Sequence, residues 1–171
     1  MLEYSTITKN VTNIPLDVHL MVEDIKDNIL DYIGLEPNII TFHLEALNSK
    51  EEVMELIRYI RESNVKVGIS IKPETKIEEI LEFLPYVNLI LVMTVEPGKG
   101  GQKLIPETIE KIKKIKEYII ANNLDILIEA DGGINRETIE EVKNAGVDMI
   151  VVGTAIINSN NYKEEIKKFK K

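Results

Sequence analysis

Apolar residues fall in short continuous runs, separated by longer stretches in which they recur every three to four positions. The run Val87-Asn88-Leu89-Ile90-Leu91-Val92-Met93 is bounded by a turn and too short for a typical helix, which predicts a strand buried on both faces. Similar runs at 16–22, 39–43, 65–71, 125–130 and 147–152 predict five more strands. The periodic stretches between them predict helices. One follows the acid-rich Glu23-Asp24 and runs to about residue 33, and another spans 49–62 with Ser49 as its N-cap. A short one follows the turn at Lys72-Pro73-Glu74-Thr75 and ends near residue 84; the next spans 106–121, opened by Pro106. A further helix is expected at 136–145, closed by Gly146. Residues 1–13 are weakly patterned, with a helix expected at 6–11, and a last amphipathic segment follows Gly153-Thr154.

Strand and helix therefore alternate six times, with no linker and no shift of composition. That repetition predicts one α/β domain built on a parallel sheet. An open doubly wound sheet and a barrel both satisfy the alternation. Strand parity separates them, because residues two apart share a face. Asp17, His19 and Met21 lie together, as do Thr41 with His43, Gly68 with Ser70, and Glu129 with Asp131, while the reverse faces are aliphatic. A polar face converging on strand C-termini favours a barrel interior with a site at its upper rim. A strand shifted by one residue would reverse the assignment.

Composition narrows the class. The chain has 171 residues, 44% hydrophobic and 29% charged, which suits a single core rich in Ile, Leu and Val, since there is no tryptophan. A net charge of −8 gives no support to a nucleic-acid partner. The lysines are interleaved with glutamates on helices, and the Lys-rich stretch 163–171 is too short and mixed for a binding arm. With no cysteine, disulfides and thiolate zinc sites are excluded. No apolar run reaches the ~18 residues of a membrane span and no signal-peptide core opens the chain, so the expectation is a cytoplasmic protein without a membrane partner.

The candidate chemistry lies after the strand at 87–93. Glu96-Pro97-Gly98-Lys99-Gly100-Gly101-Gln102 follows that strand and precedes a helix, an arrangement that holds a phosphate with backbone N–H groups. A surface turn between strand and helix is the plainer alternative. Asp131-Gly132-Gly133 and Gly153-Thr154 stand at the equivalent ends of the next two strands.

Three motifs, Pro15-Leu16-Asp17-Val18-His19-Leu20-Met21-Val22, Val92-Met93-Thr94-Val95-Glu96-Pro97-Gly98-Lys99-Gly100-Gly101-Gln102 and Asp131-Gly132-Gly133-Ile134-Asn135, give the chain a resemblance to the ribulose-phosphate 3-epimerases, running in order from Pro15 to Asn158. The resemblance implies a (β/α)8 barrel of the TIM type, here with about six of its eight strand–helix units. It also implies a divalent metal (zinc, iron or manganese) and interconversion of ribulose 5-phosphate and xylulose 5-phosphate by moving a proton at C3. Inverting a carbon centre needs two proton carriers on opposite faces, and the family uses carboxylates after its second and seventh strands. Asp131 matches the seventh-strand carboxylate, which also ligates the metal, and His19 matches a histidine ligand that touches substrate. Met21 and Met93 match two methionines that wall the site. Gly98, Gly100 and Gly101 would meet the phosphate, with Gly132, Gly133, Gly153 and Thr154 completing the cradle.

Departures from the family pattern set further expectations. The chain starts where the family's second helix would be, so the first two strand–helix units, with a serine, a histidine and the second aspartate, are expected to be missing. On that basis the metal site is incomplete, catalysis is impaired, and the strands at 16–22 and 147–152 have open edges that favour a homo-oligomer. Lys99 replaces an aromatic residue and either adds a cation near the phosphate or points into water, the second being the expectation; Ala130 replaces valine. His43 reads as a structural or outlying residue at the rim, Asp17 as buried and hydrogen-bonded, and Glu96 as shaping its loop. A non-catalytic phosphate-binding barrel fragment and a different phosphate-binding barrel enzyme are the alternative readings.

Overall fold

The computed structural model describes residues 2–22 and 24–170; Glu23 of the acid-rich pair and Lys171 of the Lys-rich end lie outside them. Six parallel strands pair in chain order, β1 (Asp17–Leu20), β2 (Ile39–His43), β3 (Lys66–Ile71), β4 (Leu89–Met93), β5 (Leu127–Asp131) and β6 (Met149–Val151). A doubly wound sheet reverses its strand order at a switch point, whereas this order never reverses. Successive right-handed crossovers in one direction curl a sheet in the manner of a barrel, which decides the alternative left by the alternation.

The sheet has two different faces, divided as strand parity predicts. Val18, Leu20, Ile40, Phe42, Val67, Ile69, Ile71, Ile90, Val92, Ile128 and Ala130 form one continuous core with the helices. The reverse face is mixed: Ile39, Leu89, Leu91, Met93 and Val95 make a second, smaller apolar cluster. Around that cluster stand His19, Thr41, His43, Ser70, Glu129 and Asp131, whose registers bring them to the same side of neighbouring strands. β4 is buried at all five positions, and its unbroken apolar run reflects packing on both sides.

Helices α2 (Ile25–Ile33), α3 (Lys50–Glu62) and α4 (Glu107–Ala121) follow the periodic segments, while α1 (Leu2–Val11) begins four residues before the helix expected at 6–11. Ser49 caps α3 as expected, its side chain accepting the Glu52 N–H. Other expectations are corrected. The short helix ending near residue 84 is two 3₁₀ turns, Ile77–Glu79 and Leu84–Tyr86. Pro85 lacks the N–H an α-helix needs and its ring opposes the carbonyl four residues back, so the backbone closes i→i−3 bonds instead. α5 is Ile139–Asn144, starting later than residue 136, because the Asn135 side chain takes the N–H groups of Glu137 and Thr138 into a turn. The last segment divides into α6 (Thr154–Ile157) and α7 (Tyr162–Phe169), the second fastened by Arg136, which donates to Glu165. Asp17, at the start of β1, is exposed and not buried, since β1 pairs on one side only, but it is hydrogen-bonded as expected, to Glu129. No helix among the described residues is long and apolar enough to cross a membrane.

Candidate functional site

The loops after β4, β5 and β6 meet at one end of the sheet. Two contacts fold the first loop on itself: the Gln102 side chain donates to the carbonyls of Glu96 at 2.6 Å and Lys99 at 2.7 Å. Glu96 thus shapes the loop through its carbonyl, and Lys99 is exposed while also lining the cavity that the loops form. The second loop turns at Gly132 and Gly133, with φ of +124° and +64°. A Cβ on Gly133 would stand 2.3 Å from the backbone nitrogen of Leu104, so glycine is required for the two loops to touch. Across the opening, a Cβ on Gly100 would be 3.8 Å from the Thr154 hydroxyl, which sets the third loop against the first.

These loops enclose a cavity of about 550 Å³. Gly98, Gly100, Gly101, Gly132, Gly133, Gly153 and Thr154 line it on the loop side, and Met21, Met93 and Asp131 on the strand side. Met93 is buried and Met21 exposed, so one thioether is a fixed wall and the other an open flank. His19 is not part of the lining; it stands just beneath, with Nδ1 3.7 Å from Asp131 Oδ2. That separation is too long for a hydrogen bond, yet it matches two ligands sharing one ion at bonds of about 2.0–2.2 Å. Among the described residues no group of three His, Cys, Asp or Glu side chains converges to hold a metal, so His19 and Asp131 supply two donors where a tight site takes three or four.

Further residues surround the site without lining the cavity, or brace its loops. Glu129 lies one layer below Asp131 on the same face of β5 and is 3% exposed. Burial, reinforced by the nearby charges of Asp17 and Asp131, pushes its carboxyl up to about 8, and it hydrogen-bonds Asp17 across the sheet. The Asp17 carboxyl is partly desolvated beside Glu129 although the residue as a whole is exposed, and this raises it as well. Thr94 ties the second loop, and His43 and Glu45 continue the contacts of His19 away from the cavity. Parity places Glu129 and His43 on the polar face, but only the pairing of strands shows which groups they meet.

The family model described as the ribulose-phosphate 3 epimerase family matches residues 3–157. The ribulose-phosphate 3-epimerase of Mycobacterium tuberculosis is 42% identical over 151 residues, covering 88% of this chain. The chain spans 65% of that protein's length, less than two thirds. A ribulose-phosphate 3-epimerase from Buchnera aphidicola is 37% identical over 170 residues, covering 99% of this chain and 73% of the relative. Among solved structures, KGPDC from Streptococcus mutans superposes with a TM-score of 0.75 at 12% identity, covering 98% of this chain and 76% of that one, a likeness of fold alone.

Proposed function

The chain belongs to the ribulose-phosphate 3-epimerase family, and from that premise we propose that it serves the interconversion of D-ribulose 5-phosphate and D-xylulose 5-phosphate. One observation carries the reading: Asp131 stands at the carboxyl end of β5, on the wall of a cavity whose other side is a cradle of glycine loops. A sugar phosphate seated with its phosphate among Gly98, Gly100, Gly101, Gly133 and Gly153 would carry its carbon chain across to Asp131.

A C–H beside a carbonyl is weakly acidic, so its removal needs a positioned base and stabilisation of the ene-diolate. The Asp131 carboxylate is the base on one face of C3 and returns the proton to that face in the reverse direction. Met93 keeps the wall beside the reacting carbon dry. His19 and Asp131 would hold a divalent ion (zinc, iron or manganese), which when bound supplies Lewis-acid stabilisation to the ene-diolate oxygens. The opposite face of C3 needs its own proton carrier, expected from the family pattern on an upstream strand with the remaining metal ligands. The unreversed strand order supports an eight-unit barrel as the complete architecture. The unpaired outer edges of β1 and β6 support association of these residues as a homo-oligomer, and a sugar-phosphate substrate agrees with a cytoplasmic setting.

The test compares the 171-residue chain with a form extended upstream to restore a histidine and an aspartate, each with and without Asp131→Asn. Xylulose 5-phosphate formation and solvent-deuterium incorporation at C3 are the readouts. The extended form is expected to turn over, Asp131→Asn to lose about 10²–10⁴ in rate, and the short chain to epimerise negligibly with any of the three metals. Turnover by the short chain at a rate typical of enzymes would show that a residue described here is the second proton carrier.

A further inference from the structure

Below the cavity a line of three side chains runs from the sheet to its surface. His19 on β1 and His43 on β2 stand on the same face in diagonal register, since His19 pairs with Thr41. Their rings are 4.9 Å apart and 28° from parallel, and their Nε2 atoms are 3.0 Å apart. His43 Nδ1 lies 3.2 Å from Glu45 Oε2. The other oxygen of Glu45 accepts the Lys72 N–H at 2.8 Å and the Thr75 hydroxyl. The 72–75 loop that carries these donors is itself fixed, because the Lys111 ammonium donates to the carbonyls of Lys72 at 3.0 Å, Pro73 at 2.6 Å and Thr75 at 2.5 Å.

We propose that Glu45 and His43 are positioning residues that set the tautomer of His19, so that its Nδ1 lone pair faces Asp131 and the cavity. An ionised carboxylate accepts and cannot donate, so the nitrogen facing Glu45 must carry the proton. Burial alone would raise Glu45, but the hydrogen bonds from His43, the Lys72 N–H and Thr75 outweigh it and hold the group at about 2, so it is ionised at neutral pH. His43 therefore carries its proton on Nδ1 and, in the neutral ring, presents a lone pair at Nε2. The facing His19 Nε2 must then be the donor, since two lone pairs at 3.0 Å would repel. One proton per neutral ring leaves His19 Nδ1 bare. Two acceptors, His19 Nδ1 and Asp131 Oδ2, consequently face each other at 3.7 Å, an arrangement that is satisfied by a cation between them.

The inference concerns ring protons alone and stands whether or not the chain epimerises sugars. It is tested on the uniformly ¹⁵N-labelled chain, without metal or substrate, by two-bond ¹H–¹⁵N correlation of the imidazole rings. Only two rings contribute, because the chain has two histidines. The pH is set about two units above the ordinary imidazole value of about 6.5, and the spectra are read where the ring signals no longer move with pH. His43 is expected as the Nδ1–H tautomer and His19 as the Nε2–H tautomer. In Glu45→Ala the His43 proton is expected to shift largely to Nε2 and the His19 proton off Nε2, while Glu45→Asp restores the wild-type pattern at least in part. A His43 ring protonated at Nε2 in the wild type would overturn the proposal, and that spectrum decides even if Glu45→Ala fails to fold. Unchanged tautomers in a folded Glu45→Ala would overturn it equally.

Discussion

Thr94 and Gly132 fasten the two loops that form the cradle. The Thr94 hydroxyl donates to the Gly132 carbonyl at 2.5 Å, and the Thr94 N–H donates to the Asp131 carbonyl at 2.8 Å. Thr94 thereby extends the β4–β5 ladder past the strand ends and into the turn that carries Asp131. The glycine loops and the Asp131 carboxylate, which line the same cavity, are thus parts of one braced unit.

Thr94→Val keeps the shape and removes the hydroxyl. A net hydrogen bond of this kind is worth about 1 kcal/mol, so affinity for ribulose 5-phosphate is expected to fall about five-fold with the fold intact. NMR titration reads both the affinity and the place, with wild-type shifts expected at Gly100, Gly101, Gly133 and Gly153. Shifts confined to the opposite rim, or none at millimolar ligand, would refute the cradle.

Two glycines give opposite expectations for the same substitution. Gly133→Ala meets the Leu104 backbone at 2.3 Å in a φ of +64°, and backbone cannot yield as a flexible side chain can. Gly98→Ala at φ +102° meets nothing within 4 Å. Denaturation in urea should show Gly98→Ala losing about 1–2 kcal/mol from left-handed backbone alone, and Gly133→Ala losing clearly more. Equal losses would mean that the two loops separate readily.

Glu129 predicts a pH dependence of stability. Its carboxyl is raised in the folded chain from an ordinary 4.5 to about 8, by burial first and by the Asp17 and Asp131 charges next. Across that window the folded state holds a proton that the unfolded chain releases, so this contribution is complete below 4.5 and is lost as pH rises through about 8. Glu129→Gln removes the titration. Comparing urea midpoints at about pH 5 and about pH 9, the wild type should fall relative to the variant at the higher pH. Parallel profiles would show that Glu129 is ionised within the fold.

The sequence by itself determined the local structure and the inventory of the site. Strand β2 lies at 39–43 as its apolar run predicts, Ser49 caps α3, and the residues drawn from the three motifs line one cavity apart from His19, which stands beneath it. Burial period, cap chemistry and glycine position act within a few residues, so they are written in the order of the chain. Tertiary structure decided what depends on neighbours distant in sequence. The unreversed strand order, the exposure of Asp17, the rise of Glu129 and the line from Glu45 through His43 to His19 all follow from which strand lies beside which. Hydrogen bonds and desolvation act over a few ångströms of space, and 24 positions of chain separate His19 from the ring it touches.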